Sequence, residues 1–585
     1  MDNSEIAQAF HDLAILSEMK GEVVFKVRAY QRAARTIEQL SLSLEKAVRD
    51  DVDLRTIPGV GSAISQKIKE LVTTGRMQTY EKLAAELPPG VLTLMNVPGI
   101  GPKTAMLIAT ELGASTVEEM ESSILAGKLS GLPRMGEKTG ENILRHIRSL
   151  RNRDGRTPIG EALPIAESII QSLREACPGV RQMEYAGSLR RWQETIGDID
   201  IMGTAPETVL VMDALASLPS VRQVLVKGPK KTSVVVEPGI QVDLRIVDDG
   251  SYGALIQYFT GSQQHNVRLR EYAVQRGLSL NEYGITVLET GDLEKFPDEA
   301  SFYGRLGLPL IPPEVREGMW ELDLASRNAV PHLVETSDIR GDLHIHSNWS
   351  DGRDTIEAMV QTLSAKAYEY MALTDHSQGL GVANGLSIER LRQQRNVLQT
   401  VQHGCPIKLF HGSEVDIRAD GRLDYPDDVL AELDVVIASV HSAMGQDSEK
   451  MTARIISAMR DPHVTAIGHP TCRILGTRDA VEVDMEALLE AAAETGTAME
   501  VNASPWRLDL KDTHITRARE LGVPLIINTD AHSTDEPEAM RFGVAIARRG
   551  WCEAHNVLNT LPLERFQAFL STPKPQRMRV FAGLD

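Results

Sequence analysis

Asp198 and Asp200 stand two residues apart in an apolar run, IGDIDIM, so on an extended strand both carboxylates face the same side. Such a pair can hold a hard divalent cation. Just upstream, Gly187-Ser188 offers backbone amides and a hydroxyl to an oxyanion, and Arg190 and Arg191 offer positive charge to phosphate. Asp243, in QVDLRIV, adds a third strand carboxylate. The set suits phosphoryl transfer with two metals, which clamp the attacking and the leaving oxygen. A D-x-D alone describes many surface strands; the Gly-Ser turn and the arginines are what point to a polyphosphate.

A second set with metal-ligand chemistry fills the C-terminal part. Short apolar strands end in DLHIHS (His344, His346), MALTDHS (Asp375, His376), KLFHGSE (Glu414), VVIASVHS (His441), VTAIGHP (His469) and LIINTDAH (Asp530, His532). H-x-H and D-x-H place both side chains on one side of an extended segment. Strands alternate with helices here, and in a (β/α) barrel the C-terminal strand ends meet at one mouth, so these ligands converge. Imidazole with carboxylate suits zinc, manganese or iron, and several metals together suit activation of water against a phosphoester. One such histidine is ordinarily a core or surface residue, but six ligand-bearing strand ends in one region are a motif.

The elements that position these residues are legible in outline. Residues 1–155 read as short helices joined by glycine hairpins: Ile57-Pro58-Gly59-Val60-Gly61 before one helix, Val97-Pro98-Gly99-Ile100-Gly101-Pro102-Lys103 before another, and a weaker copy, Leu132–Lys138. Each sets backbone amides at a helix start, where a phosphate can bind without sequence readout, and the hairpins resemble helix-hairpin-helix motifs of non-specific DNA binding. Lys67 follows the first hairpin, beside Ile64, Ile68 and Leu71, in surroundings that would lower the pKa of a Schiff-base amine. Residues 156–320 alternate helices with the acidic strands, as in an α+β nucleotidyltransferase layer. There Tyr258 and Phe259 precede a bend at Gly261, where aromatic edges meet a nucleotide sugar, and Asn266 and Arg270 share one face of the next helix. Residues 321–340, with Pro331 and several charges, read as a linker, and 341–575 as the barrel.

At 585 residues the chain holds several domains. Its net charge of −19 is unevenly spread: +1 over residues 1–160, −9 over 161–335 and −11 over 336–585. A DNA grip at the N-terminus therefore rests on local phosphate sites rather than bulk charge. Cys177, Cys405, Cys472 and Cys552 stand far apart and form no C-x-x-C pair, so neither a disulfide framework nor a zinc finger is indicated. No apolar run spans a bilayer and the N-terminus lacks a signal pattern, so a cytoplasmic protein with no membrane contact is expected.

GSLRRWQETIGDIDIM, VDLRIV, QYFTGSQQHN and GLSLNEYGI resemble, in order, the motifs of family X DNA polymerases, the group that includes DNA polymerase beta. With the hairpins, the resemblance spans roughly residues 1–320. It implies that Asp198, Asp200 and Asp243 bind two magnesium ions. Ser188, Arg191 and Gly197 would hold the triphosphate, Tyr258, Phe259 and Asn266 the sugar and base, and Arg270 the template strand. Lys67 falls at the 5′-deoxyribose-phosphate lyase nucleophile, although Ala63 stands where a lysine often supports it. Gly59, Gly61, Gly99, Gly101 and Lys103 would contact DNA. Trp192 and Ile196 depart from the glycine and serine common in the family, both beside the triphosphate site. The region from His344 onward resembles the polymerase and histidinol phosphatase (PHP) domain. That resemblance adds Asp351 to the ligands His344, His346, His376, Glu414, His441, His469, Asp530 and His532, places Arg507 at the substrate phosphate, and makes Asp375 an orienting group for His376.

The whole is similar to a bacterial family X polymerase with a C-terminal PHP domain. The expected architecture is a helix-hairpin-helix N-terminal domain, an α+β polymerase core and a distorted TIM-like barrel. The implied function is filling of short gaps in base excision repair from dNTPs on gapped or nicked DNA, by a monomer. The barrel would act as a zinc- or manganese-dependent 3′–5′ exonuclease, with abasic-site endonuclease or 3′-phosphatase action. Two rival readings are a phosphatase of small phosphoesters and a DNA-end scaffold with a weak polymerase, the latter resting on Trp192 and Ile196.

Overall fold

A computed structural model describes residues 1, 3–38, 40, 42–57, 59–88, 91–95, 100–125 and 156–583, which form two compact units, Met1–Arg156 and Thr157–Asp585. The first unit is helical. Amphipathic helices such as Asn3–Met19, Val24–Glu38 and Ser62–Thr74 bury Phe10, Leu13, Ile37, Ile64 and Ile68 in one core. In the first hairpin Gly59 has φ +82°, and a Cβ there would stand 3.2 Å from the Arg32 side chain, so glycine is required. Gly61 and Gly101 occupy the positions before helices Ser62–Thr74 and Pro102–Glu111 and supply no side-chain cap, which leaves first-turn amides for an external acceptor. Lys67 is half-buried on its helix, in line with buried Ile64, Ile68 and Leu71. Gly99, the hairpin at 132–138 and the side chain of Lys103 lie outside the described residues.

In the second unit, strands β1 (Gln182–Tyr185), β2 (Asp198–Thr204), β3 (Val221–Lys227), β4 (Lys231–Val236) and β5 (Ile240–Val247) form one sheet, ordered β1-β2-β5-β4-β3. Only β2 and β5 run parallel. Ile199, Ile201, Val242 and Leu244 are buried on one face with helices Ile159–Ala176 and Thr208–Ala216. Asp198, Asp200 and Asp243 alternate with them and lie on the other face, which continues to Met202 and Val247 under helix Tyr252–Thr260. A three-stranded sheet over 278–294 and helices Gln263–Val274 and Glu299–Arg305 follow.

The segment 321–340 is folded rather than an extended linker. It contains helix Glu321–Ser326, the buried Glu321 accepts from the Gly318 and Met319 amides, and Leu333 bridges Glu553. Strands β6 (Gly341–Asp342), β7 (Tyr370–Leu373), β8 (Lys408–Asp416), β9 (Val435–Ser439), β10 (Ala466–Ile467), β11 (Ala498–Asn502) and β12 (Leu525–Asn528) then pair in chain order, all parallel. A parallel bridge between Ile345 and Ala531 joins the first strand's extension to the last, so the seven strands make a nearly closed, TIM-like barrel. Among the described residues no helix is long and apolar enough to cross a membrane.

Candidate active sites

Parallel register sets Asp200 directly opposite Asp243, with Asp198 two residues before on the same face. Gly187 has φ +61°, and a Cβ on it would lie 2.7 Å from Asp200 Oδ2, so only glycine brings the turn this close to the carboxylate. Ser188 follows in the short helix Gly187–Arg190, and Gly197 is exposed at the entry to β2. Burial, reinforced by the charges of Asp198 and Asp243, pushes Asp200 up to about 7. Burial also opposes ionisation of Asp243, but hydrogen bonds from Lys231 and Gln241, each at 2.9 Å, outweigh it and hold its carboxyl below the usual range. Three carboxylates crowded on one sheet face are the donor set of a divalent-cation site, whose charge offsets their mutual repulsion.

The two arginines are anchored differently from expectation. Arg190 is withdrawn from the phosphate side: its guanidinium binds Glu184, Thr260 Oγ1 and the buried Glu299. Arg191 donates through Nη1 to the Thr260 carbonyl at 2.6 Å, next to the Gly261 bend, and its Nε lies 3.3 Å from Glu317. Tyr258 and Phe259 stand edge to face before that bend, with Arg245 4.5 Å above the Phe259 ring. Asn266 ties the bend together, donating to the Tyr258 carbonyl and accepting from Gln257, while Arg270 is exposed on the same helix. Trp192 and Ile196 are both held by packing. Ile196 is fully buried in the core, and Trp192, at φ +54°, packs its ring edge to face on Phe542 of the barrel, centroids 5.5 Å apart.

At the barrel mouth the predicted ligands converge. Ligand atoms of His346, Asp351, His376 and His532 lie within 4.8 Å of one another, as do those of His344, His346 and Asp530, and those of His376, Glu414 and His441. His346 and His376 are shared between groups, and His469 Nε2 joins through Glu414 at 2.8 Å. Glu414 is central: one oxygen faces His344, His346 and His376 and the other His441 and His469. His346 is fully buried, yet neither ring nitrogen makes a well-aligned hydrogen bond. Unpaired imidazole nitrogens at that depth are costly, and a mixed nitrogen and carboxylate set fits transition-metal ions. Arg507 points Nε toward Asp530 at 3.6 Å and keeps a buried Nη1 without a protein acceptor, a donor available to an external anion.

Two supporting groups differ from the sequence reading. The Asp375 carboxylate holds Ser347, Ser350 and Gln394, so it braces the loop that carries Asp351 rather than the His376 ring. Glu500, unforeseen, lies 2.7 Å from His344 Nδ1, fixing which nitrogen faces the centre. Its only signal was a lone carboxylate inside the apolar strand AMEVN.

One chain thus carries a nucleotidyltransferase sheet and a ligand-rich parallel barrel, the combination of a two-site phosphoester enzyme. Residues 255–317 match the DNA polymerase beta thumb, 1–77 a helix-hairpin-helix domain, 91–149 a SAM-like helix-hairpin-helix tandem and 342–504 the PHP domain. The DNA polymerase/3′-5′ exonuclease PolX of Bacillus subtilis (strain 168) is 40% identical over 573 residues, covering 97% of this chain and 99% of that protein. A probable phosphatase of Thermoanaerobacter sp. (strain X514) is 28% identical over 231 residues, 37% of this chain and 89% of its own length. The chain belongs to the family X DNA polymerases that carry a C-terminal PHP domain.

Proposed function

We propose that this chain fills short gaps in damaged DNA and trims 3′ ends at its barrel. It is a DNA-directed DNA polymerase with a 3′–5′ exonuclease, acting on DNA and nucleotide substrates. The observation that carries the polymerase reading is the registered Asp200 and Asp243 with Gly187 against them. Ser188, Gly197 and Arg191 receive the triphosphate, Tyr258, Phe259 and Asn266 the sugar and base, and Arg270 the template. The 3′-hydroxyl attacks the α-phosphorus and pyrophosphate leaves, while Asp243, kept ionised by Lys231 and Gln241, draws on the hydroxyl proton. Gly59, Gly61, Gly99, Gly101 and Lys103 bind the DNA backbone, and Lys67 supplies the amine for 5′-deoxyribose-phosphate release.

The all-carboxylate sheet site suits magnesium, and the imidazole-rich barrel site suits zinc or manganese. Bound metals lower the pKa of a coordinated hydroxyl or water and offset charge on the phosphoryl oxygens. Asp198, Asp200 and Asp243 would hold them in the first site, and His344, His346, Asp351, His376, Glu414, His441, His469, Asp530 and His532 in the second. Arg507 orients the scissile phosphate, and the same centre is suited to abasic-site cleavage and 3′-phosphate removal. Extension and trimming of one gapped duplex, followed with metal analysis, test both assignments; magnesium-dependent extension by an Asp198→Ala, Asp200→Ala protein would refute the first. Likeness to probable phosphatases favours, as a second reading, hydrolysis of small phosphoesters by the barrel. Histidinol phosphate assayed beside gapped DNA separates the two. Nucleotide titration on gapped DNA tests the scaffold reading, which would show DNA binding without a nucleotide-dependent tightening; the packing of Trp192 on Phe542 and the burial of Ile196 favour the polymerase.

A further inference from the structure

The loop that carries the triphosphate candidates is held from outside the polymerase sheet. Arg549, buried on helix Met540–Arg549 of the barrel region, donates to the Arg191 carbonyl at 2.7 Å and to Glu317 Oε1 at 2.9 Å, the oxygen that also faces Arg191 Nε. Gln193 donates to that oxygen as well, at 2.7 Å. The far side of the Arg549 guanidinium is fixed by Asp512 Oδ2 at 2.6 Å, in the first turn of helix Asp512–Glu520. Further along the loop, Glu194 receives Arg473, whose guanidinium also binds the carbonyls of Arg507 and Leu508. Two barrel arginines therefore grip the stretch between Ser188 and Asp198, and one of them also grips the turn bearing Arg507.

We propose that Arg549 is a positioning residue for nucleotide binding: it fixes Glu317 and the Arg191 backbone so that the Arg191 guanidinium is set for the incoming triphosphate, with Arg473 securing the loop's other end. The PHP region is then a structural part of the polymerase's nucleotide site as well as a second active site. Arginine suits the task because its planar fork reaches Asp512, Glu317 and a carbonyl at once, which a lysine cannot do. The inference rests on the reading that Arg191 meets the triphosphate.

The test is single-nucleotide gap filling by the full-length protein, with 3′ trimming and thermal midpoint measured in parallel. Arg549→Lys keeps the charge and loses the fork. It is expected to raise the dNTP KM about tenfold, the equivalent of one charge-assisted hydrogen bond, with kcat and trimming changed less than about twofold. An unchanged KM in folded protein overturns the proposal. So does a rise in KM matched by equal loss of trimming and a lower thermal midpoint, the mark of general loosening. If Arg549→Lys does not fold, Glu317→Gln, which leaves Arg549 paired with Asp512, is read in the same way. Arg191→Lys separates the two layers: if it leaves KM unchanged the triphosphate reading fails, whereas a raised KM there beside a flat Arg549→Lys overturns only the positioning role.

Discussion

The two acidic sites of this chain are built on opposite plans. The sheet site takes its carboxylates from two adjacent strands in one register, and its outer parts depend on other elements: Thr260 and Glu317 for Arg191, and Arg549 behind them. The barrel site draws on the ends of six strands, and most of its ligands are buried, with Glu414 at the centre. A site on two strands needs little sequence but is open to its neighbours; a site on a closed barrel is set by the whole fold. The first is therefore tuned by residues around it, and the second by the barrel as a whole.

The largest effects should separate the sites cleanly. Asp198→Ala with Asp200→Ala is expected to reduce extension by about 10³-fold or more and to leave trimming intact, and Glu414→Ala to do the reverse. Assays of both activities on one gapped substrate decide this, and a protein in which either change abolishes both would show a single shared centre.

The same contrast explains what was legible in the sequence. Period-two spacing identified Asp198 with Asp200 and His344 with His346, because strand geometry transmits spacing directly to direction. Strand ends identified Glu414 and His469, because a parallel barrel converts chain position into a place at the mouth. Glu500 and Arg549 were not legible, since their contacts join residues 156 and 358 positions apart and no local pattern encodes them. The contacts of Arg190, Trp192 and Ile196 were not legible for a related reason. These residues follow Gly187-Ser188 in sequence, but tertiary contacts with Glu299, Phe542 and the core decide where they point. Segment 321–340 has linker composition, and buried Glu321 with Leu333 fold it.

Next in size is the support of the barrel site. Glu500→Gln keeps the shape but weakens the hold on the buried His344 imidazole. It should cost about 10- to 100-fold in metal affinity, measured by chelator competition, with polymerisation unaffected. Retained affinity would mean that Asn528 and Asn502, which also bind Glu500, orient the strand without help from its charge.

A smaller effect bears on Ile196. If this side chain lined the triphosphate, Ile196→Ser would improve nucleotide binding by restoring the residue common in the family. Because it is fully buried, the change should instead cost about 3 kcal/mol of stability, from a lost apolar side chain and a buried hydroxyl, with no gain in dNTP affinity. Denaturant titration and gap-filling kinetics on one preparation show which occurs.

The smallest effect comes from the crowding of carboxylates that makes the sheet site a cation trap. Asp200 titrates at about 7 because burial and the charges of Asp198 and Asp243 oppose its ionisation. A folded-state pKa raised above the unfolded value favours the fold while the group is protonated. That contribution is fully present below about pH 4 and is lost as pH rises through 7. Metal-free protein should therefore lose stability across this window, and Asp200→Asn should remove that part of the slope and raise the thermal midpoint at pH 8 by a few degrees. Magnesium should reverse the order, since it binds the ionised group and its affinity climbs with pH over the same range. Thermal scans at pH 5 and pH 8, with and without magnesium, check the sign, and a wild-type midpoint above that of Asp200→Asn at pH 8 without metal would show that Lys231 and Arg245 already neutralise the cluster.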